Sequence, residues 1–104
     1  MSGDTVIGVL PEGAIACRRT PIFDESTIPA GLRHEHRTKP GVWGVITVLE
    51  GKLRYRSLDP VSERLITAGA QAIAAPEQPH QVEPDGGVRF FVEFYRIGGG
   101  DDAG

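Results

Sequence analysis

The chain has 104 residues, enough for one hydrophobic core and too few for two, because each half would bury too small a fraction of its surface to stabilise itself. At 39% hydrophobic and 24% charged, it stands well clear of compositions that stay disordered, and a net charge of -3 provides no general field for a nucleic acid or an acidic membrane surface. Cys17, the only cysteine, excludes an intrachain disulfide and has no second thiol for a metal pair, so it is expected as a small buried apolar residue.

The N-terminal MSGDTVIGVLPEG has no basic segment, and its apolar run VIGVL is short. No stretch approaches the roughly 18 apolar residues of a spanning helix, which makes a cytoplasmic protein the expectation. Fourteen glycines and eight prolines cut the chain into strand-length pieces, leaving no room for a helix of three turns. Residues 13–23 supply one or two strands, and Thr27-Ile28-Pro29-Ala30-Gly31 reads as a connecting loop. Residues 42–49, VWGVITVL, are rich in β-branched side chains and form the clearest strand. Glu50-Gly51-Lys52 then predicts a tight hairpin, since Gly51 can take positive φ, with Leu53-Arg54-Tyr55-Arg56 returning.

A polar loop over residues 59–63 leads into a strand at 64–67, and Ala68-Gly69-Ala70 breaks it before a short strand at 71–75. Pro76 and Pro79 bracket a turn, His80-Gln81-Val82-Glu83 is extended, and Pro84-Asp85-Gly86-Gly87 predicts a second hairpin with 88–96 running back. Both long strands carry apolar residues at odd and even positions, the pattern of strands covered on both sides in a sandwich, a barrel or a subunit interface. The domain is thus expected over residues 1–97, with GGGDDAG at 98–104 a disordered tail.

Histidine is scarce and unevenly placed. His34 and His36 lie two apart in GLRHEHRTKPGVWG, and His80 stands alone in PEQPHQVEPDGG. In an extended segment His34 and His36 point to one side and Glu35 to the other, so two imidazoles face one space, where a third donor would complete a site for zinc, iron, nickel or manganese. Read by itself, the pair more often lies on a solvated loop. Glu93 interrupts the apolar run FFVEFY, and a carboxylate buried there needs a metal, a cation or hydrogen-bond donors. Glu83, three residues beyond His80, falls on the opposite face by alternation.

A His-bearing loop, a hydrophobic strand ending in EGKLRY, a glycine before a short strand and a proline-flanked histidine resemble the two-motif layout of cupins. HRTKPGVWGVITVLEGKLRY with PEQPHQVEPDGGVRFFVEFY is similar, over about residues 20–96, to the TehB/YeaR-like cupin family, which includes the N-terminal domain of some tellurite-resistance proteins. The resemblance implies an all-β, single-domain cupin, a double-stranded β-helix or small jelly-roll barrel, and a homodimer. It also implies that His36 and His80, from the first and second motifs, are directed into the barrel. The usual first-motif glutamate is missing, because counting back from Gly51 reaches Gly44 instead. His34 or Glu93 is then the candidate third ligand of a divalent metal.

Arg37 and Lys39 make the first-motif loop locally positive and suited to a small oxyanion or carboxylate, with Lys39 favoured because it matches the family string. Tyr55 is a pocket candidate, whereas Trp43 reads as core and the Phe90, Phe91, Phe94 and Tyr95 cluster as core or dimer packing. The favoured function is a small binding or sensing module holding a divalent metal or small anion, with a link to oxyanion stress. The alternative is a metal-dependent cupin enzyme of oxygenase, isomerase or hydrolase type, and the third reading is a purely structural assembly role. In the resembling proteins the cupin can precede an S-adenosylmethionine-dependent methyltransferase domain, but these 104 residues hold no glycine-rich nucleotide loop and that activity is not carried over.

Overall fold

The β-branched and aromatic runs of this sequence build two long strands around which the other elements are arranged. The computed structural model describes residues 6–59 and 61–97. In chain order these form β1 (Val6–Ile7), β2 (Ala14–Arg19), β3 (Phe23–Asp24), a one-turn 3-10 helix (Ala30–Arg33), β4 (Val42–Leu58), β5 (Val61–Thr67), β6 (Gln71–Ala74) and β7 (His80–Ile97). Both the tail at 98–104 and the start of the expected domain lie outside the described residues.

Among the described residues the strands make one all-β sheet in the order β1-β6-β4-β7-β2, with β5 added to β4 and β3 to β7. All pairings are antiparallel except β1 with β6. No helix among them is long and apolar enough to cross a membrane. The backbone of the domain is the β4–β7 ladder, which runs antiparallel from the Val42–Arg96 pair to the Ser57–His80 pair.

That ladder corrects both predicted hairpins. β4 passes through Glu50-Gly51-Lys52 without reversing, and β7 passes through Pro84-Asp85-Gly86-Gly87 in the same way. Instead the pairing register shifts between Val48 and Glu50 and again between Gly51 and Leu53, which marks bulges where the paired strands bend. Gly51 does take positive φ, 76°, but for a different reason from the one expected. A Cβ there would meet the Gly87 carbonyl oxygen at 1.9 Å, so a glycine permits the close approach of two backbones inside the ladder. The true reversal comes after Leu58, where β5 turns back onto Lys52–Leu58, so residues 61–63 are strand and not loop.

The bulges also decide which side chains face inward. Gly44, Ile46 and Val48 are buried before the bend, and Leu53, Tyr55 and Ser57 after it, a switch from even to odd positions that keeps one face toward the core. In β7 the inward set is His80, Val82, Val88, Phe90 and Val92. Leu53, Ile66, Val48, Val82 and Phe90 are the largest fully buried side chains, each contributing about 1.5–3 kcal/mol by burial. Phe23 of β3 closes one side of this core, its ring edge-on to Phe90 at 5.7 Å.

Candidate functional site

The segment after the 3-10 helix returns to the sheet at a single point. His36 and His80 form an isolated antiparallel bridge, with the His36 N–H donating to the His80 carbonyl at 2.8 Å and the His80 N–H donating to the His36 carbonyl at 2.9 Å. Directly paired residues in such a bridge project their side chains to the same side of the sheet. The two rings accordingly meet edge to face, with centroids 5.2 Å apart. Tyr55 stacks on the other side of His80 at 5.8 Å, so the β7 histidine is held between an aromatic ring and a second imidazole.

His80 is buried and His36 half-buried. Burial lowers the pKa of both below the ordinary 6.5; for His80 the nearby His36 adds to the effect and the Gln78 carbonyl opposes it. Both are therefore neutral at pH 7. His80 Nδ1 lies 2.9 Å from the Gln78 carbonyl, which can only accept, so the proton sits on Nδ1 and Nε2 is the basic atom. Burial pushes the Tyr55 hydroxyl up to about 12, and it stays protonated throughout the neutral range.

Two spaces adjoin this pair. The inner one, about 20 Å³, is lined by both histidines, Thr38 and apolar side chains including Ile46, Val92 and Phe94, together with Gly44. The outer one, about 360 Å³, is lined by Arg18, Arg37, Lys39 and Arg96 with His36, Thr38, Phe94, Val42 and Cys17. His36, Thr38 and Phe94 line both and form the wall between them. Every charged residue around the outer cavity is a cation, although the whole chain is acidic. Arg37 is bound to Glu35 at 2.9 Å and to the Glu77 carbonyl, and Arg18 lies over the Phe94 ring at 5.0 Å. Among the described residues Arg18, Lys39 and Arg96 have no carboxylate partner.

The proposed third ligands lie elsewhere. The 3-10 turn ends at Arg33, and His34, its extended C-cap residue, is exposed and lines neither space. Glu93 sits at an odd position of β7, on the face opposite to Val92 and Phe94, and finds there the cation and donor that a half-buried carboxylate requires: Arg19 at 3.4 Å and the Tyr95 hydroxyl at 3.3 Å. Glu83, on the same side, pairs with Arg33 at 3.0 Å. Among the described residues no group of three or more His, Cys, Asp or Glu side chains could hold a metal ion. Two imidazoles with one Nδ1 committed to a carbonyl fall short of the three protein ligands of a catalytic zinc site.

A family described as TehB-like domain matches residues 18–92. The chain belongs to the TehB-like domain family. This TehB-like domain is 34% identical over 83 residues to the uncharacterized protein YeaR of Escherichia coli strain K12, covering 71% of this chain and 70% of the relative. It is 31% identical over 74 residues to the probable S-adenosyl-L-methionine-dependent methyltransferase TehB of Haemophilus influenzae, covering 66% of this chain but 26% of that protein. Among solved structures it resembles an Escherichia coli K12 protein with TM-score 0.81 and 29% identity, over 89% of this chain and all of that one. It also resembles TehB from Haemophilus influenzae, with TM-score 0.76 and 26% identity over 83% of this chain and 32% of that one.

Sequence reasoning placed Lys39 and Arg37 in the TehB-like domain's basic loop but missed Arg18 and Arg96, which reach the cavity from β2 and the end of β7. Their only signal was positive charge on strands whose pairing the sequence left open. Thr38 was also missed; its hydroxyl binds the Ala75 carbonyl and accepts from the Glu77 N–H, tying the loop to the β6–β7 connection. Cys17, expected to be buried, is exposed and donates to the Phe94 carbonyl at 3.3 Å, because β2 lies at the edge of the sheet.

Proposed function

We propose that this TehB-like domain is a binding module of cupin type that takes a small anion in the outer cavity, with the His36–His80 pair at its inner end. The reading rests on one observation: a cavity of about 360 Å³ whose charged lining is wholly cationic in a chain of net charge -3. Gathering three cations without carboxylate partners costs self-repulsion, which an anionic ligand offsets through charge-assisted hydrogen bonds. The cupin reading is supported by two long strands paired along their lengths with histidines of both motifs facing one interior space. A small oxyanion of the tellurite type fits the same cations and the resemblance to tellurite-resistance proteins.

A metal-dependent enzyme would need a third ligand beside His36 and His80, whereas His34 is exposed and the Glu93 carboxylate is bound to Arg19 and Tyr95. The methyltransferase activity in the name of TehB belongs to a protein of which this chain matches 26%, and it is not extended to this domain. The half-buried Trp43, Phe91 and Tyr95 share the outer face of the β4–β7 ladder and offer a surface for the homodimer that the family resemblance implies.

Calorimetric titration with phosphate and with tellurite at low ionic strength tests the reading. The parent is expected to bind, and Arg18→Gln with Arg96→Gln to weaken binding at least tenfold while the fold is retained. Equal binding by parent and double variant, or none by either, would overturn it.

A further inference from the structure

If the outer cavity holds the charge of an anion, the inner space raises the question of what lies behind it. It is walled by aliphatic and aromatic side chains, with His36, His80 and Thr38 its only polar side chains. Thr38 is engaged by Ala75 and Glu77 and His80 Nδ1 by Gln78, and the surface that the lining residues present to the space is almost wholly apolar. A volume of about 20 Å³ accommodates roughly one water-sized group, but a stable water needs two to four polar partners, and apolar cavities of this kind stay dry. An alkyl group suits the space better.

Gly44 creates this room. It is buried near the start of β4 on its inward face, opposite Ala74 of β6 and Phe94 of β7, and its φ is not in the left-handed region, so the backbone does not require glycine here. A Cβ at Gly44 would meet Thr38, Val92 and Phe94 side chains at 3.6, 3.8 and 3.9 Å, ordinary contact distances. An alanine would fit, and its methyl would take up the space that glycine leaves empty. A buried vacancy that neither backbone geometry nor steric conflict imposes is a place for part of a ligand.

We propose that the ligand is a short amphiphilic monoanion, a carboxylate whose head meets Arg18, Lys39 and Arg96 and whose alkyl end enters the space beside Gly44. His36, Thr38 and Phe94, common to both spaces, surround the junction of head and tail. Gly44 is then a specificity-determining residue that sets tail length. The inference rests on the anion reading above and adds the apolar half of the ligand to it.

A chain-length series separates the two. Titration of the parent with phosphate, formate, acetate, propionate, butyrate and octanoate, followed by amide NMR shifts, should show affinity rising by roughly fourfold at the chain length whose terminal methyl reaches the space, and levelling before octanoate. Gly44→Ala should abolish that rise and leave phosphate and formate affinities within twofold of the parent. Binding of all these anions with no dependence on chain length would overturn the amphiphilic ligand while leaving the anion site standing. A rise that Gly44→Ala leaves unchanged would place the tail elsewhere and equally overturn the proposal. Failure of every anion to bind would overturn the underlying reading. The series on the parent does not depend on how the variant folds.

Discussion

His36 and His80 exchange both backbone hydrogen bonds and hold their rings edge to face 5.2 Å apart. One contact thus fastens the loop after the 3-10 helix to the start of β7 and sets two imidazoles at the wall of the cavity. Because His80 is buried between Tyr55 and His36, truncation leaves a void and an unpaired Gln78 carbonyl. His80→Ala is expected to cost about 2–4 kcal/mol in denaturant unfolding, and half-buried His36→Ala about 1 kcal/mol, since its backbone bonds survive.

The same pair makes stability depend on pH. Both histidines have folded-state pKa values below the ordinary 6.5, so on acidification the unfolded chain takes up protons before the folded chain does. Stability is therefore expected to fall as pH drops through 6.5, and to stop falling from this cause once the folded-state values are passed. Urea unfolding of the parent and of a His36→Gln, His80→Gln variant between pH 8 and pH 5 checks this: the variant should lose part of the parent's slope. Equal slopes would remove the histidines as its source.

Gly51 and Gly86 both have positive φ, yet their surroundings differ. A Cβ at Gly51 would collide with the Gly87 backbone, whereas at Gly86 nothing lies within 4 Å. Gly86→Ala should cost about 1 kcal/mol, the ordinary cost of a left-handed alanine, and Gly51→Ala clearly more, about 3 kcal/mol or loss of the fold. Thermal unfolding of the two variants side by side measures the difference.

These glycines also explain where the sequence misled. Positive φ at a glycine between two apolar runs is the signature of a hairpin, but it is equally that of a bulge in which a strand bends and continues, and local sequence does not distinguish them. The strand content and the inward histidines were legible because alternation and the family motifs carry them. Arg18 and Arg96 were not, since their proximity depends on the register of β2 against β7, including a shift between Ala16 and Arg18. His34 lines neither space although its backbone is extended, because it caps the 3-10 turn and the chain pairs with the sheet only at His36, a placement that alternation alone does not reveal.

Glu93 separates the metal and anion accounts. Its carboxylate is bound to Arg19 and Tyr95 on the outer face, so Glu93→Gln should leave ligand binding unchanged and cost about 1 kcal/mol or less, as befits a partly exposed ion pair. Metal analysis of untagged protein is expected to give well under one equivalent, with no difference between the parent, His36→Ala and Glu93→Gln. Stoichiometric metal lost in either variant would show a ligand set that the described geometry lacks.

Anion affinity should fall steeply with salt, because the cations around the cavity act through partly exposed side chains and the screening length shrinks from about 30 Å at 0.01 M to about 8 Å at 0.15 M. Calorimetry with phosphate at the two ionic strengths measures this, and salt-independent binding would point to a contact other than Arg18, Lys39 and Arg96.

The most direct measurement is an amide NMR titration of the intact chain with butyrate at pH 7 and low ionic strength. Saturable shifts confined to Arg18, the 36–39 loop, Gly44 and residues 94–96 are the result expected of an anion seated at the mouth of the histidine pair. Shifts absent at saturating butyrate, or scattered over the surface without saturation, would contradict it.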